Sequence, residues 1–140
     1  MGEAMELALR YLAAINKRDV QALKDCWDDH GLLKVPGRTL RRPDAIAGFF
    51  HAWWEAFPDE RLSVETVFDL GNRVVIEAEF RGTQTGTLRG LPCGDLPPTD
   101  RQVTFDLVGV HETSGGKLIS ERLYFDVFDI LTQLKRPPAR

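Results

Sequence analysis

Apolar residues recur at helical spacing through the first part of the chain and alternate with polar ones through most of the rest. Met5, Ala8, Leu12 and Ile15 mark one face of a helix, with Lys17 and Arg18 near its C-terminal end, where cations suit the helix dipole. Asp19 reads as the N-cap of a second short helix over 20–27, burying Leu23 with Cys26 or Trp27. A short strand is expected over 32–35, closed by the turn dipeptide Pro36-Gly37. The third helix begins at Pro43, a residue that suits the first helical position. Ile46, Phe49, Phe50, Trp53 and Phe57 make it strongly apolar on one side, and Pro58 stops it.

From here the period changes to two. Residues 62–70 alternate, Gly71-Asn72 makes a hairpin turn, and 73–85 carry Val74, Ile76, Ala78 and Phe80 on one face. A long strand over 102–113 places Asp106, Val108 and Val110 on one side and Phe105, Leu107, Gly109 and His111 on the other. Ser114-Gly115-Gly116 turns the chain into a last strand, where Ile119, Glu121, Leu123 and Phe125 form a mostly apolar row. The opposite row is Ser120, Arg122, Tyr124 and Asp126, all polar or amphipathic. That row is either the wet side of a sheet or the lining of a cavity. Helices first and then a meander of long strands argue for an α+β domain, with helices packed on one face of a curved sheet. Such a cone has an interior suited to a ligand.

A chain of 140 residues is expected to form one domain, residues 1–140, with a real core. The formal net charge of −3, with no basic run, argues against a nucleic-acid partner. No stretch approaches the length of a membrane span, and the acidic, amphipathic first residues are not a signal peptide. The two cysteines, Cys26 and Cys93, make neither a disulfide framework nor a metal set, so a cytoplasmic location with reduced thiols is expected. Asp28, Asp29 and His30 read as a solvated helix end, and no metal site is expected.

Several motifs occur in a telling order: Phe57-Pro58-Asp59, then Arg81-Gly82-Thr83-Gln84-Thr85-Gly86, Pro97-Pro98-Thr99-Asp100-Arg101, the run from Gly116 to Asp126, and Leu131-Thr132-Gln133-Leu134. Together they resemble the SnoaL-like polyketide cyclase group of the nuclear-transport-factor-2-like (NTF2-like) superfamily. The resemblance implies a cone-shaped α+β barrel with three N-terminal helices on a curved, mostly antiparallel sheet. It also implies an apolar cavity, a homodimer, a small-molecule ligand and no cofactor. Characterised cyclases of this kind close a ring by intramolecular aldol condensation, with an aspartate as acid and base. Three departures stand out. Gln84 replaces a common histidine, the loop 90–101 is long, and Lys135 replaces a glycine after Gln133-Leu134.

Asp126 is the leading candidate for proton transfer, because taking a proton from carbon beside a carbonyl needs a positioned base. Its other reading is the N-cap of a helical turn over 127–134, which would keep the carboxylate ionised. Arg122 would hold an enolate oxygen or orient Asp126, and Tyr124 would donate to a carbonyl. A surface ion pair and an interface tyrosine are the alternatives. With a three-residue hairpin loop, Asp106 falls opposite Tyr124 and Val108 opposite Arg122. Asp106, Arg122 and Asp126 then form a water-activating set resembling that of epoxide hydrolases in the same superfamily. By resemblance Gln84 contacts substrate, while Phe50 and Trp53 are core and cavity wall. His111 and His51 are generic acid/base candidates that more often prove structural. The reading is thus a small-molecule enzyme of the cyclase or isomerase type, with a hydrolase and a non-catalytic binding or dimerisation module as alternatives.

Overall fold

A computed structural model describes residues 2–135. Helix α1 (Glu3–Lys17) has Glu3 and Glu6 in its first turn and Lys17 in its last, the charge order its dipole favours. Its buried face comprises Leu7, Ala8, Tyr11, Leu12 and Ile15 among others, and it ends where Arg18 turns left-handed at φ 56°. Helix α2 (Val20–Asp25) is capped by the Asp19 carboxylate, which accepts from the Ala22 N–H at 3.0 Å.

Strand β1 (Trp27–Val35) begins earlier than periodicity suggests and absorbs the expected end of α2. The cause is pairing. Trp27 partners Leu118 and Lys34 partners Arg122 in a parallel ladder with β6, interrupted by an irregularity between Trp27 and Leu32 that contains Asp28, Asp29 and His30. His30 therefore lies in a bulged strand and not at a helix end. Strand β2 (Arg38–Arg41) returns antiparallel through a turn at Gly37, whose φ of 80° suits glycine. Helix α3 (Pro43–Ala56) starts on its proline and buries Ile46, Phe49, Phe50, Trp53 and Trp54. Strands β3 (Arg61–Asp69), β4 (Arg73–Thr83), β5 (Gln102–Ser114) and β6 (Lys117–Phe125) follow, and α4 (Val127–Gln133) closes the described chain.

The four helices accompany a six-stranded mixed sheet of order β2-β1-β6-β5-β4-β3, with β1–β6 as its parallel pair. The register of the three central strands decides which side chains meet. Across β4–β5 the inner partners are Val74↔His111, Ile76↔Gly109, Ala78↔Leu107 and Phe80↔Phe105. Across β5–β6 they are His111↔Glu121, Gly109↔Leu123 and Leu107↔Phe125.

The β5–β6 hairpin turns on two glycines, Gly115 and Gly116, with φ of 59° and 75°. This makes Ser114 the partner of Lys117, and an irregularity follows between Glu112 and Thr113. A three-residue loop would have placed Asp106 opposite Tyr124 and Val108 opposite Arg122. The tighter turn and the irregularity instead pair Val108 with Tyr124 and Val110 with Arg122. A shift of two residues preserves which face each side chain occupies.

The long segment between β4 and β5 is tied down by Gln84, which is fully buried. Its Nε2 donates to the Leu96 and Pro97 carbonyls at 3.0 and 3.1 Å, and its Oε1 accepts from Thr99 Oγ1 at 2.8 Å. Leu88 and Leu96 also pair as an isolated antiparallel bridge. Replacing Gln84 by Leu would remove three side-chain hydrogen bonds, two to loop carbonyls and one from Thr99. We expect a loss of about 2–4 kcal/mol of stability, read by denaturant unfolding, with new proteolytic cleavage confined to the 86–101 segment.

Candidate active site

Between α1, α3 and the concave face of the sheet lies an apolar cavity. Its volume is about 50 Å³. It is a narrow slot. Leu12 and Ile15 approach from α1, Phe49, Phe50 and Trp53 from α3, and Phe80, Phe105, Leu107, Leu123 and Phe125 from the sheet. Trp53 stacks on Phe57 at 5.6 Å between ring centres and meets Phe80 and Phe125 edge-on at 5.5 and 5.6 Å.

Three ionisable groups break this apolar lining: His111, Glu121 and Glu60. The β5–β6 pairing brings the first two together. His111 Nε2 lies 3.0 Å from Glu121 Oε2, with the side chains only 2% and 5% exposed. The contact is an ion pair in distance, yet the N–H does not line up on that oxygen as a hydrogen bond. On its other side His111 Nδ1 meets the Val74 carbonyl at 3.2 Å. Both ring nitrogens thus face acceptors, an arrangement that favours the doubly protonated imidazolium. The second oxygen of Glu121 accepts from the Tyr11 hydroxyl at 2.8 Å. Tyr11 is fully buried and packs edge-on against Trp27, Phe50 and His111.

The electrostatics follow from this geometry. Burial by itself pushes the His111 pKa down, but the charge of Glu121, its hydrogen-bonding capacity and the Val74 carbonyl together raise it above the usual histidine value. Burial, and then the neighbouring Glu121, hold the Tyr11 phenol well above its ordinary range. Gly109 makes the space for the pair: a Cβ there would stand 2.7 Å from His111 Cε1 and 3.0 Å from Glu121 Oε2.

The residues singled out from sequence are distributed differently. Phe50 and Trp53 line the cavity. Asp126 is exposed and caps α4, accepting from the Asp129 N–H at 3.2 Å. Tyr124 is 53% exposed on the outer face of the sheet, and Arg122 is half-buried on that same face beside Lys34. Asp106 is exposed there too, its carboxylate within 4.8 Å of those of Glu65 and Glu79. The polar row of β6 is therefore the outer side of the sheet, and Asp106, Arg122 and Asp126 do not converge in the cavity. Gln84 is spent on the loop carbonyls and lies outside the cavity lining. His51 is on the exposed side of α3, 2.9 Å from Glu55. Cys26 and Cys93 are free thiols.

Glu121 and His111 each sit as a polar residue in an otherwise apolar alternating row. Their rows belong to adjacent strands, and that coincidence was the available signal.

The sequence model of the SnoaL-like polyketide cyclase family matches residues 5–134, so the chain belongs to that family. Among solved structures, a protein assigned as a SnoaL-like polyketide cyclase from Jannaschia sp. CCS1 is 21% identical. The match covers 97% of this chain and 94% of that one, with a TM-score of 0.86. AclR from Streptomyces galilaeus, assigned as a hydroxylase, is 21% identical over 97% and 98% of the two chains, with a TM-score of 0.81. An NTF2-like protein of unknown function from Burkholderia pseudomallei K96243 is 16% identical over 96% and 98%, with a TM-score of 0.80. These likenesses establish the NTF2-like fold. No curated protein matches by sequence. No helix among the described residues is long and apolar enough to cross a membrane.

The His111–Glu121 pair has a thermodynamic signature. Because the folded pKa of His111 is raised above the usual 6.5, its contribution to stability is complete below that value and is lost as pH rises through the higher folded one. The melting-temperature advantage of the wild type over His111→Gln should therefore shrink as pH rises above about 6.5. A constant gap would show that the ring stays neutral throughout.

Proposed function

We propose that the chain is a cofactor-free acid/base enzyme of the cyclase or isomerase type, acting on a small, largely apolar substrate that bears a carbonyl. The observation that carries this reading is the His111–Glu121–Tyr11 cluster, buried at the wall of an aromatic cavity. The Glu121 carboxylate takes the proton from the carbon beside the carbonyl. The His111 Nε2–H, which is not aligned on Glu121, gives its proton to the carbonyl oxygen. One proton leaves carbon and one reaches oxygen, so an enol forms with no net change in charge on the substrate. Tyr11 holds the first carboxylate oxygen and directs the second toward the substrate. Enolisation is the step shared by isomerisation and by ring closure through aldol addition, which places the family's cyclases within the same chemistry. Membership of that family supports the class of reaction but leaves the substrate open, since one fold hosts many activities. A cytoplasmic setting belongs to the same reading and is consistent with two free thiols.

The test is hydrogen–deuterium exchange at the carbon beside the carbonyl of undecan-2-one in deuterated buffer, followed by NMR. Wild type should accelerate exchange, Glu121→Gln and His111→Gln should each lower the rate by about a hundredfold or more, and Asp126→Asn should leave it unchanged. Wild-type exchange no faster than buffer, or exchange lost in Asp126→Asn, would sink the assignment.

The reading includes a homodimer formed through the outer face of the sheet. Phe68 and Tyr124 are 49% and 53% exposed there. Glu65, Glu79 and Asp106 cluster toward β3–β5, whereas Lys34 and Arg122 sit side by side on β1 and β6. A two-fold axis lying in the interface, parallel to the strands, would lay the acidic side of one copy over the basic side of the other. Sedimentation equilibrium should return a dimer for wild type and a salt-sensitive shift toward monomer for Arg122→Glu. A monomeric wild type at all concentrations would refute it.

A further inference from the structure

Glu60 is the third ionisable group in the cavity wall, and the proton-transfer chemistry above does not use it. It follows α3 in the turn Phe57-Pro58-Asp59-Glu60, where its N–H donates to the Phe57 carbonyl at 3.0 Å. Everything around that turn is tied down. Arg18, at the end of α1, gives its guanidinium to the backbone carbonyls of Pro58 and Glu60 at 2.6 and 3.2 Å. Asn16 makes a reciprocal pair of 2.9 Å hydrogen bonds with the Leu62 backbone. The Asp59 carboxylate is occupied by the Thr83 N–H at 2.7 Å. Only the Glu60 side chain is left over. The residue is 8% exposed, and its buried Oε1 has no hydrogen-bond partner.

A buried polar atom without a partner is costly, and one that lines a cavity is a place for a ligand atom. Its position defines the ligand's length. Glu60 lies just before Leu62, which pairs with Phe80, whereas His111 pairs with Val74 at the other end of β4. Val74 and Phe80 are six positions apart, roughly 20 Å of strand, and the cavity that the Glu60 and His111 side chains both line is walled by Ile76, Phe80, Phe105 and Leu107. The cavity thus carries Glu60 toward one end of an apolar slot and the His111–Glu121 pair toward the other.

We infer that Glu60 is the anchor at the far end of this slot, its carboxyl donating a hydrogen bond to a remote carbonyl oxygen of an elongated substrate whose reacting carbonyl meets His111 and Glu121. The substrate class is therefore a chain or flat ring system, apolar in the middle, with oxygen acceptors at both ends. The charge state fits a donor. Burial raises the Glu60 pKa to about 8, opposed by the Arg18 guanidinium and assisted by Asp59. From the sheet, β4 presents uncharged Gly82 at the Glu60 backbone, and His111 and Glu121 face it from across the cavity. A cationic ligand is the competing occupant, since an ionised Glu60 among aromatic rings would suit an ammonium group.

This inference rests on the cavity being the substrate site, and binding measurements test it apart from turnover. The probes are undecan-2-one, undecane-2,10-dione and (9-oxodecyl)trimethylammonium, titrated by calorimetry. At about pH 6.5 the dione should bind wild type about tenfold tighter than the monoketone. That advantage should fade as pH rises through about 8, because ionised Glu60 has no proton to donate. Glu60→Gln, which keeps an N–H donor, should retain the advantage and lose its pH dependence. Glu60→Leu should abolish it while melting at a higher temperature than wild type, so loss of binding there is not loss of fold. His111→Gln should keep the dione preference even though it loses carbon-bound exchange. No dione advantage in wild type, or tightest binding by the ammonium probe with affinity rising through about pH 8, would overturn the inference. Absent exchange with the dione preference intact would instead count against the proton-transfer reading alone.

Discussion

A histidine and a glutamate buried side by side in an aromatic interior are tolerable only because each finds partners there. Taking either charge out of water costs several kcal/mol, and their mutual attraction offsets this only when the remaining polar atoms are also met. Here the Val74 carbonyl meets one ring nitrogen and the Tyr11 hydroxyl meets one carboxylate oxygen. Those contacts depend on β4, β5 and β6 holding one register, with His111 level with Val74 on one side and Glu121 on the other. They also require α1 to lie across the sheet with Tyr11 facing inward. Sheet register, helix placement and the missing side chain at Gly109 are thus one requirement expressed in three elements.

The two faces of the sheet divide the work. The inner face is almost wholly apolar, so an ionisable group there meets few neighbours, and those of His111 are enough to raise its pKa against the effect of burial. The outer face carries charges of both signs whose fields are screened by solvent. This is why an exposed row such as Arg122, Tyr124 and Asp126 can look more like a site in the sequence than the residues that sit in the cavity. Polarity is abundant where it is cheap, and informative where it is rare.

Much of the fold was legible in the sequence, because helical and alternating periods dominate it. The stripe Ile46, Phe49, Phe50 and Trp53 identified an inward helix face, and Pro43 and Pro58 bracketed it. The elements that escaped are those made by pairing. The N-terminal part of β1 is polar and holds its place through β6, and β2 is only four residues long. Asp19 and Asp126 both act as caps, and local sequence was enough to suggest as much. The cavity cluster was harder to find. His111 and Glu121 stand in the apolar rows of the sequence, but a single polar residue in such a row carries little weight. Significance comes only when the two rows are laid side by side, and that needs the turn at Gly115 and Gly116 and the irregularity beyond it.

The hydrogen bond from Tyr11 to Glu121 joins residues separated by 110 positions of sequence. A chain emerging from the ribosome makes Tyr11 well before Glu121. Until β6 has been synthesised, α1 has no carboxylate to close on, and β5 carries a histidine with no counter-charge. The cluster therefore cannot form before β6 does. Partial chains, or proteins in which the last strand has been trapped elsewhere, would be left with a soft and wet interior. A site assembled from the first helix and the last strand of the sheet closes only when every strand between them is in place.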